Sequence, residues 1–182
     1  MRAAKEPVLI LFSGYKHTGK TTLIARLTTE CTRRGLRVGC LKHDGHGFQT
    51  SPEGADTARY MDAGAISVAI ADTFGHYMIE RRGDEPPSVP SLVASLGAVD
   101  VVFLEGYKTV AMRKVVLLGK DLRCGGHYAI PDFLLHGDAM QSVLAFAVPE
   151  TPFAVADSSL PVYHRNDIDG FMAILDRLMQ EA

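Results

Sequence analysis

Eight consecutive residues constrain this chain more tightly than any other feature. Gly14-Tyr15-Lys16-His17-Thr18-Gly19-Lys20-Thr21 fits the pattern G-x-x-x-x-G-K-[ST] residue for residue. It follows the continuous apolar run Val8-Leu9-Ile10-Leu11-Phe12, the pattern of a strand buried on both faces. After it, Leu23, Ile24, Leu27 and Cys31 recur on one face of a helix over residues 20–34, with Gly35 placed to end it. A strand, a glycine-bearing turn and a helix N-terminus in this order make a cradle of backbone N–H groups for phosphate oxygens. Gly14, Tyr15, Lys16, His17, Thr18, Gly19, Lys20, Thr21 and Thr22 are the expected nucleotide-binding residues. Lys20 is expected at the β- and γ-phosphates, and the Thr21 hydroxyl on Mg²⁺.

Such a loop needs a parallel sheet behind it, and the rest of the chain supplies one. Residues 37–42 read as a second strand, and the glycine-rich segment 43–50 as a loop. Ser51-Pro52-Glu53 carries a helix start signal, and Gly64 closes that helix. Strands are predicted over 66–71, 77–80, 101–105, 114–118 and 143–148, with a short helix near 91–96. Residues 119–142 give a weak, glycine-broken signal. Asp167 caps a last helix whose stripe is Ile168, Phe171, Met172, Leu175, Leu178 and Met179. The expected fold is α/β: a three-layer P-loop NTPase fold, its mainly parallel sheet flanked by helices. Residues 1–182 are expected to form a single P-loop nucleotide-binding domain.

Composition removes several classes of partner. Nineteen Lys and Arg against 21 Asp and Glu leave a formal charge of −2, with no basic excess for nucleic acid or anionic lipid. No stretch approaches 18 apolar residues, so no membrane span is expected. Cys31, Cys40 and Cys124 form no CxxC pair, and Lys5-Glu6-Pro7 runs directly into a short strand. Both features suit a cytoplasmic protein.

A phosphate-bound Mg²⁺ calls for a nearby carboxylate. Glu105 ends an apolar strand and precedes Gly106, so it is expected on the same sheet edge as the loop, as metal ligand and catalytic residue. Asp44, in Lys42-His43-Asp44-Gly45-His46, is a further expected Mg²⁺ or water ligand. His43 with His46 also has metal-pair spacing, as does Cys124 with His127, though solvated side chains are the commoner outcome in such loops. Spacing does not choose the base. The only asparagine, Asn166, is followed by Asp167-Ile168-Asp169, so no Asn-Lys-x-Asp guanine motif exists.

Together these segments resemble the MobB family, molybdopterin-guanine dinucleotide biosynthesis protein B. The resemblance rests on residues 14–23, Leu41-Lys42-His43-Asp44-Gly45-His46, and Gly54-Ala55-Asp56-Thr57-Ala58-Arg59 with Ala63-Gly64-Ala65. It continues through Leu104-Glu105-Gly106-Tyr107-Lys108 and Leu160-Pro161-Val162-Tyr163 with Asn166-Asp167. Ser51 and Ala55 stand where the family usually has aspartate and lysine, and residues 109–113 lack its usual proline. The resemblance implies GTP and Mg²⁺ as ligands, weak hydrolysis at most, and a homodimer. It also implies assistance to the guanylyltransferase MobA, which attaches GMP to molybdopterin. Lys42, His43, His46, Asp56, Arg59 and Lys108 would form a surface for a second ligand, molybdopterin included, or for a partner.

Two other readings fit a short phosphate-loop chain. One is a metal-delivery GTPase using His43, His46 and Cys124, although no Cys-Pro-His or histidine-rich segment is present. The other is a small-molecule kinase, for which Arg81-Arg82 would have to serve as the arginine lid.

Overall fold

Continuous apolar runs become the centre of a six-stranded sheet. The computed structural model describes residues 6–44, 55–81, 83–136, 138–151 and 153–182. Its strands are β1 (Val8–Gly14), β2 (Val38–Lys42), β3 (Ser67–Ala71), β4 (Tyr77–Arg81) and β5 (Val101–Glu105). They continue as β6 (Lys114–Leu117), β7 (Arg123–Cys124), β8 (His127–Tyr128), β9 (Val143–Val148) and β10 (Val162–His164). The helices are α1 (Lys20–Arg33), α2 (Asp56–Asp62), α3 (Val89–Ser95) and α4 (Ile168–Glu181). The main sheet runs β10-β9-β6-β1-β5-β2, and every pairing in it is parallel. Strand β1 therefore lies inside, which is why its residues are apolar on both faces.

The predicted apolar stripes cover one face of this sheet. Leu23, Ile24, Leu27 and Cys31 of α1, with Phe171, Met172 and Leu175 of α4, pack on Ile10, Phe12, Phe103, Val115 and Ala145. The two helices meet at the Cys31 Sγ–Met172 Sδ contact of 3.9 Å. Burial raises the Cys31 thiol to about 11. Each such aliphatic side chain contributes about 1.5–3 kcal/mol on burial. Arg34 caps α1, and Gly35 takes the left-handed φ of +79°. On the other face a second cluster forms, in which Tyr128, Leu134 and Val155 pack on Val116, Phe146 and Val148. The Tyr128 hydroxyl donates to the Glu150 carbonyl at 3.1 Å.

The chain forms two compact units, Met1–His43 with Val93–Ala182, and Asp44–Leu92. The second holds α2 and an antiparallel hairpin of β3 and β4, with Ala69 opposite Ile79. Asp72 shapes the hairpin turn, its carboxylate accepting from the Phe74 and His76 N–H groups.

One expectation needs correction, and two segments that the sequence left unassigned gain structure. The hairpin strands, predicted as members of one mainly parallel sheet, pair only with each other, because a short turn can join only antiparallel neighbours. Residues 119–142 hold short 3₁₀ turns and the β7–β8 hairpin. The edge strand β10 carried no readable pattern, for its residues are all half-buried. The Ser51–Glu53 start signal lies outside the described residues, and the helix described next begins at Asp56 after Ala55.

Candidate phosphate and metal site

Register brings the site together. Phe12 of β1 and Lys42 of β2 both pair with Glu105 of β5, so β2 and β5 end at one level and β1 runs on from it to Gly14. Beyond that edge the Gly106 N–H donates to Phe12 O at 3.1 Å, and the His43 N–H to Glu105 O at 2.9 Å. Gly106 has φ +102°, and a Cβ there would sit 2.9 Å from the His43 carbonyl, so the turn requires glycine.

The octapeptide leaves β1 at Gly14, where φ is +143° and a Cβ would run into the Leu117 carbonyl of β6. His17 takes a left-handed φ of +63°, a local cost of order 1 kcal/mol. Buried Thr18 donates its hydroxyl to Tyr15 O at 3.1 Å, which closes the turn. Gly19, at φ +93°, begins α1 with no side-chain cap and no acidic residue in the first turn. The first N–H groups of α1 and its positive end are thus left for an anion.

Lys20 arches back over this loop. Its Nζ donates to Tyr15 O at 2.6 Å and to Gly14 O at 3.3 Å. Burial lowers its pKa below the ordinary lysine value, Glu105 opposes that shift, and the charges of Lys108 and Lys42 reinforce it. The Thr21 hydroxyl donates to both carboxylate oxygens of Glu105, at 3.0 and 2.9 Å. A hydroxyl and a carboxylate, adjacent and accessible, are the hard oxygen donors that Mg²⁺ takes beside phosphates. The expected metal pair fits that ion.

Other expected residues are only partly assembled. Lys42 and His43 lie beside Glu105, and the His43 ring contacts the Tyr107 ring at 4.7 Å. Lys108 places its Nζ 5.0 Å above the Tyr15 ring, which is itself edge-on to Phe133 at 5.6 Å. Asp44, Asp56 and Arg59 belong to the second unit, where Arg59 faces Asp56 at 3.9 Å on α2. His46 and Arg82 lie outside the described residues. Lys16 is exposed on the loop, and Arg113 pairs with Glu181 at 2.7 Å. Cys124 faces His127 across the β7–β8 ladder. Among the described residues no group of three or more His, Cys, Asp or Glu side chains could hold a metal.

Sequence reasoning missed two residues that touch this edge. Lys114 is fully buried at the start of β6, and its Nζ donates to Val110 O at 2.7 Å and Lys108 O at 3.3 Å. It tethers the backbone that carries Lys108, and burial holds its pKa below the usual lysine value. Arg165, just beyond β10, approaches Gly19, its Nη1 3.6 Å from where a Cβ would stand. The only sequence signal for Arg165 is its place before the α4 cap.

Comparison with known proteins then identifies the lineage. A family model, "Molybdopterin guanine dinucleotide synthesis protein B", matches residues 9–131, which includes the octapeptide and Glu105. The chain belongs to the MobB family. A MobB-type relative from Bacillus subtilis (strain 168), a "probable molybdopterin-guanine dinucleotide biosynthesis adapter protein", is 31% identical over 175 residues, 93% of this chain and 92% of the relative. The Escherichia coli (strain K12) adapter protein is 30% identical over 112 residues, covering 60% of this chain and 64% of that one. Among solved structures, Bacillus subtilis MobB superposes with a TM-score of 0.69 at 26% identity, over 93% of this chain and 96% of that one. A MobB homologue from Bacillus stearothermophilus gives 0.64 at 24% identity, over 96% and 99%, and is similar in fold. The parallel sheet flanked by helices is therefore the MobB form of the P-loop NTPase-like fold.

Proposed function

We propose that this chain is a GTP-binding adapter of molybdenum cofactor maturation that assists a MobA-type guanylyltransferase in attaching GMP to molybdopterin. The observation that carries the nucleotide part is the Thr21–Glu105 contact beside an uncapped helix N-terminus over which Lys20 arches. Biosynthesis of the dinucleotide as the setting, and MobA as the partner, come from the family and its adapter-named relatives.

In this reading the loop N–H groups hold the β-phosphate and Lys20 turns from its carbonyl partners to the γ-phosphate. Thr21 and Glu105 would hold Mg²⁺, which would supply positive charge to offset that of the phosphates. Glu105 also limits how much free positive charge the site carries when empty. Lys42, His43 and Lys108 leave the same edge basic, suited to an anionic second ligand or an acidic partner surface.

The homodimer is part of the proposal. The β3–β4 hairpin exposes Ile70, Phe74, Tyr77, Met78 and Ile79, with Phe74 86% and Tyr77 72% accessible. An isolated two-stranded ribbon with this much apolar surface is marginal in water, and a second copy of itself is the cover the family resemblance implies.

Lys20→Ala tests the nucleotide reading. Calorimetry with GTP·Mg²⁺ should show affinity lost while circular dichroism stays unchanged, because the side chain serves charge rather than the core. Affinity retained within about threefold, or roughly 0.7 kcal/mol, would remove the basis of the proposal.

A further inference from the structure

On the opposite side of the loop from Glu105, the surface folds into a pocket of about 180 Å³. It is lined by Gly19, Thr22, Leu23, Arg26, Arg165 and Asn166. Pockets that enclose a whole ligand run to roughly 300–1,000 Å³, so this one suits one part of a larger molecule. Its place relative to the phosphate loop says which part. Thr21 and Thr22 are successive residues of α1, and the first meets Glu105 while the second lines the pocket. In the sheet, β5 lies on one side of β1, and β6, β9 and β10 lie on the other. A nucleotide whose β- and γ-phosphates sit by Thr21 and Glu105 and which leaves the loop over Gly19 and Thr22 would place its nucleoside in this pocket.

The pocket's chemistry is one-sided. Arg26 Nη1 donates to Asn166 Oδ1 at 2.9 Å. A guanidinium only donates, so the amide oxygen is fixed toward Arg26 and the amide N–H groups are left for an acceptor. Arg165 is half-buried, and among the described residues its guanidinium has no acceptor. Both residues stand on a firm backbone. The Arg165 N–H donates to Val148 O at 2.8 Å, and the Asn166 N–H to His164 Nδ1 at 3.2 Å. The next residue, Asp167, could have offered a carboxylate acceptor, but it accepts from the Gly170 N–H at the start of α4. Side-chain donors of Arg26, Arg165 and Asn166 therefore line the pocket, and Leu23 adds apolar surface.

Purines differ in what they offer to such a lining. Guanine presents two adjacent acceptors, N7 and O6, whereas adenine presents N7 beside an N6 amino donor that would meet other donors. We infer that the Arg26–Asn166–Arg165 pocket reads the O6/N7 edge of guanine and is the element that selects GTP over ATP. This selection replaces the Asn-Lys-x-Asp segment the chain lacks, and it rests on the nucleotide reading above.

The test is a set of binding titrations with Mg²⁺ on the full chain. For the native protein GTP should bind at least fivefold tighter than ATP. ITP, which keeps O6 and N7, should match GTP, and 7-deaza-GTP, which lacks N7, should fall at least fivefold. In Arg165→Ala and Asn166→Ala, each checked for unchanged circular dichroism, the GTP-to-ATP ratio should collapse below fivefold. The native-protein comparison of GTP with 7-deaza-GTP decides the matter even if a variant misfolds. Equal affinity for those two, or a ratio that survives both substitutions, overturns the assignment. Equal losses of GTP and ATP on Arg165→Ala also overturn it, since they mean a phosphate contact. Absence of binding by every nucleoside triphosphate instead overturns the underlying nucleotide reading, and this assignment with it.

Discussion

Glu105 acts electrostatically on Lys20, and each of the two predicts a distinct response to conditions. Glu105→Gln keeps shape but removes the charge that attracts the cation. GTP affinity should therefore fall with Mg²⁺ present and change much less in EDTA; equal losses in the two buffers would make Glu105 a mere partner for Thr21. For Lys20 the sign follows from its environment. Burial already holds its pKa below 10.5 in the free protein. A bound γ-phosphate favours the charged form and so raises the pKa in the complex. The Lys20 contribution to affinity is then full below the free-protein pKa and declines as pH rises through it, beginning below 10.5. Titrations of GTP binding from neutral pH to about 10 should show that decline in the native protein. Lys20→Arg, charged throughout, should bind without it. A flat native profile would mean that Lys20 does not contact phosphate.

Helix α4 is the element whose stability is most directly testable. Asp167 caps it, and Gly170 packs so closely on Tyr163 that a Cβ would sit 2.7 Å from the ring. Asp167→Ala should cost about 0.5–2 kcal/mol in urea unfolding, with most of the loss restored by Asn. A change under a few tenths would mean that packing alone starts the helix. This cap was legible in the sequence, as were β1, β5 and β9, because buried parallel strands and amphipathic helices write their burial into apolar periodicity. The octapeptide and Glu105 were legible for a related reason. Phosphate and Mg²⁺ demand particular residue types at the ends of such strands. Arg165 was not, since its place depends on β10, a three-residue edge strand that packing defines and composition does not. Lys114 was equally hidden. A lysine that starts β6 looks like an ordinary exposed strand end until its burial against the carbonyls of Lys108 and Val110 is seen.

At the scale of the whole molecule, turnover depends on what a single chain brings to the γ-phosphate. Lys20 arches over the loop, but Arg113 is paired with Glu181 and Arg59 faces Asp56. Fast phosphoryl transfer commonly needs one more positive charge on the transition state. GTP hydrolysis should therefore be slow, on the order of 10⁻³ to 10⁻² s⁻¹. Phosphate release followed across a protein dilution series separates this from a dimer that completes the site. A rate per chain above about 1 s⁻¹ that falls on dilution would make the assembly a working enzyme.

The position of β1 has a consequence for how the chain is made. It is synthesised well before its neighbours in the sheet, which are Val101–Glu105 and Lys114–Leu117. A growing chain therefore emerges from the ribosome carrying this apolar segment and the phosphate-loop sequence long before either flank exists. Pairings this distant in sequence cannot form until late, and until then Val8 to Phe12 is a bare, adhesive segment. Chains released before Leu117 would carry that segment uncovered on at least one side. Chaperone capture of truncated nascent chains should therefore fall sharply once β6 has cleared the exit tunnel.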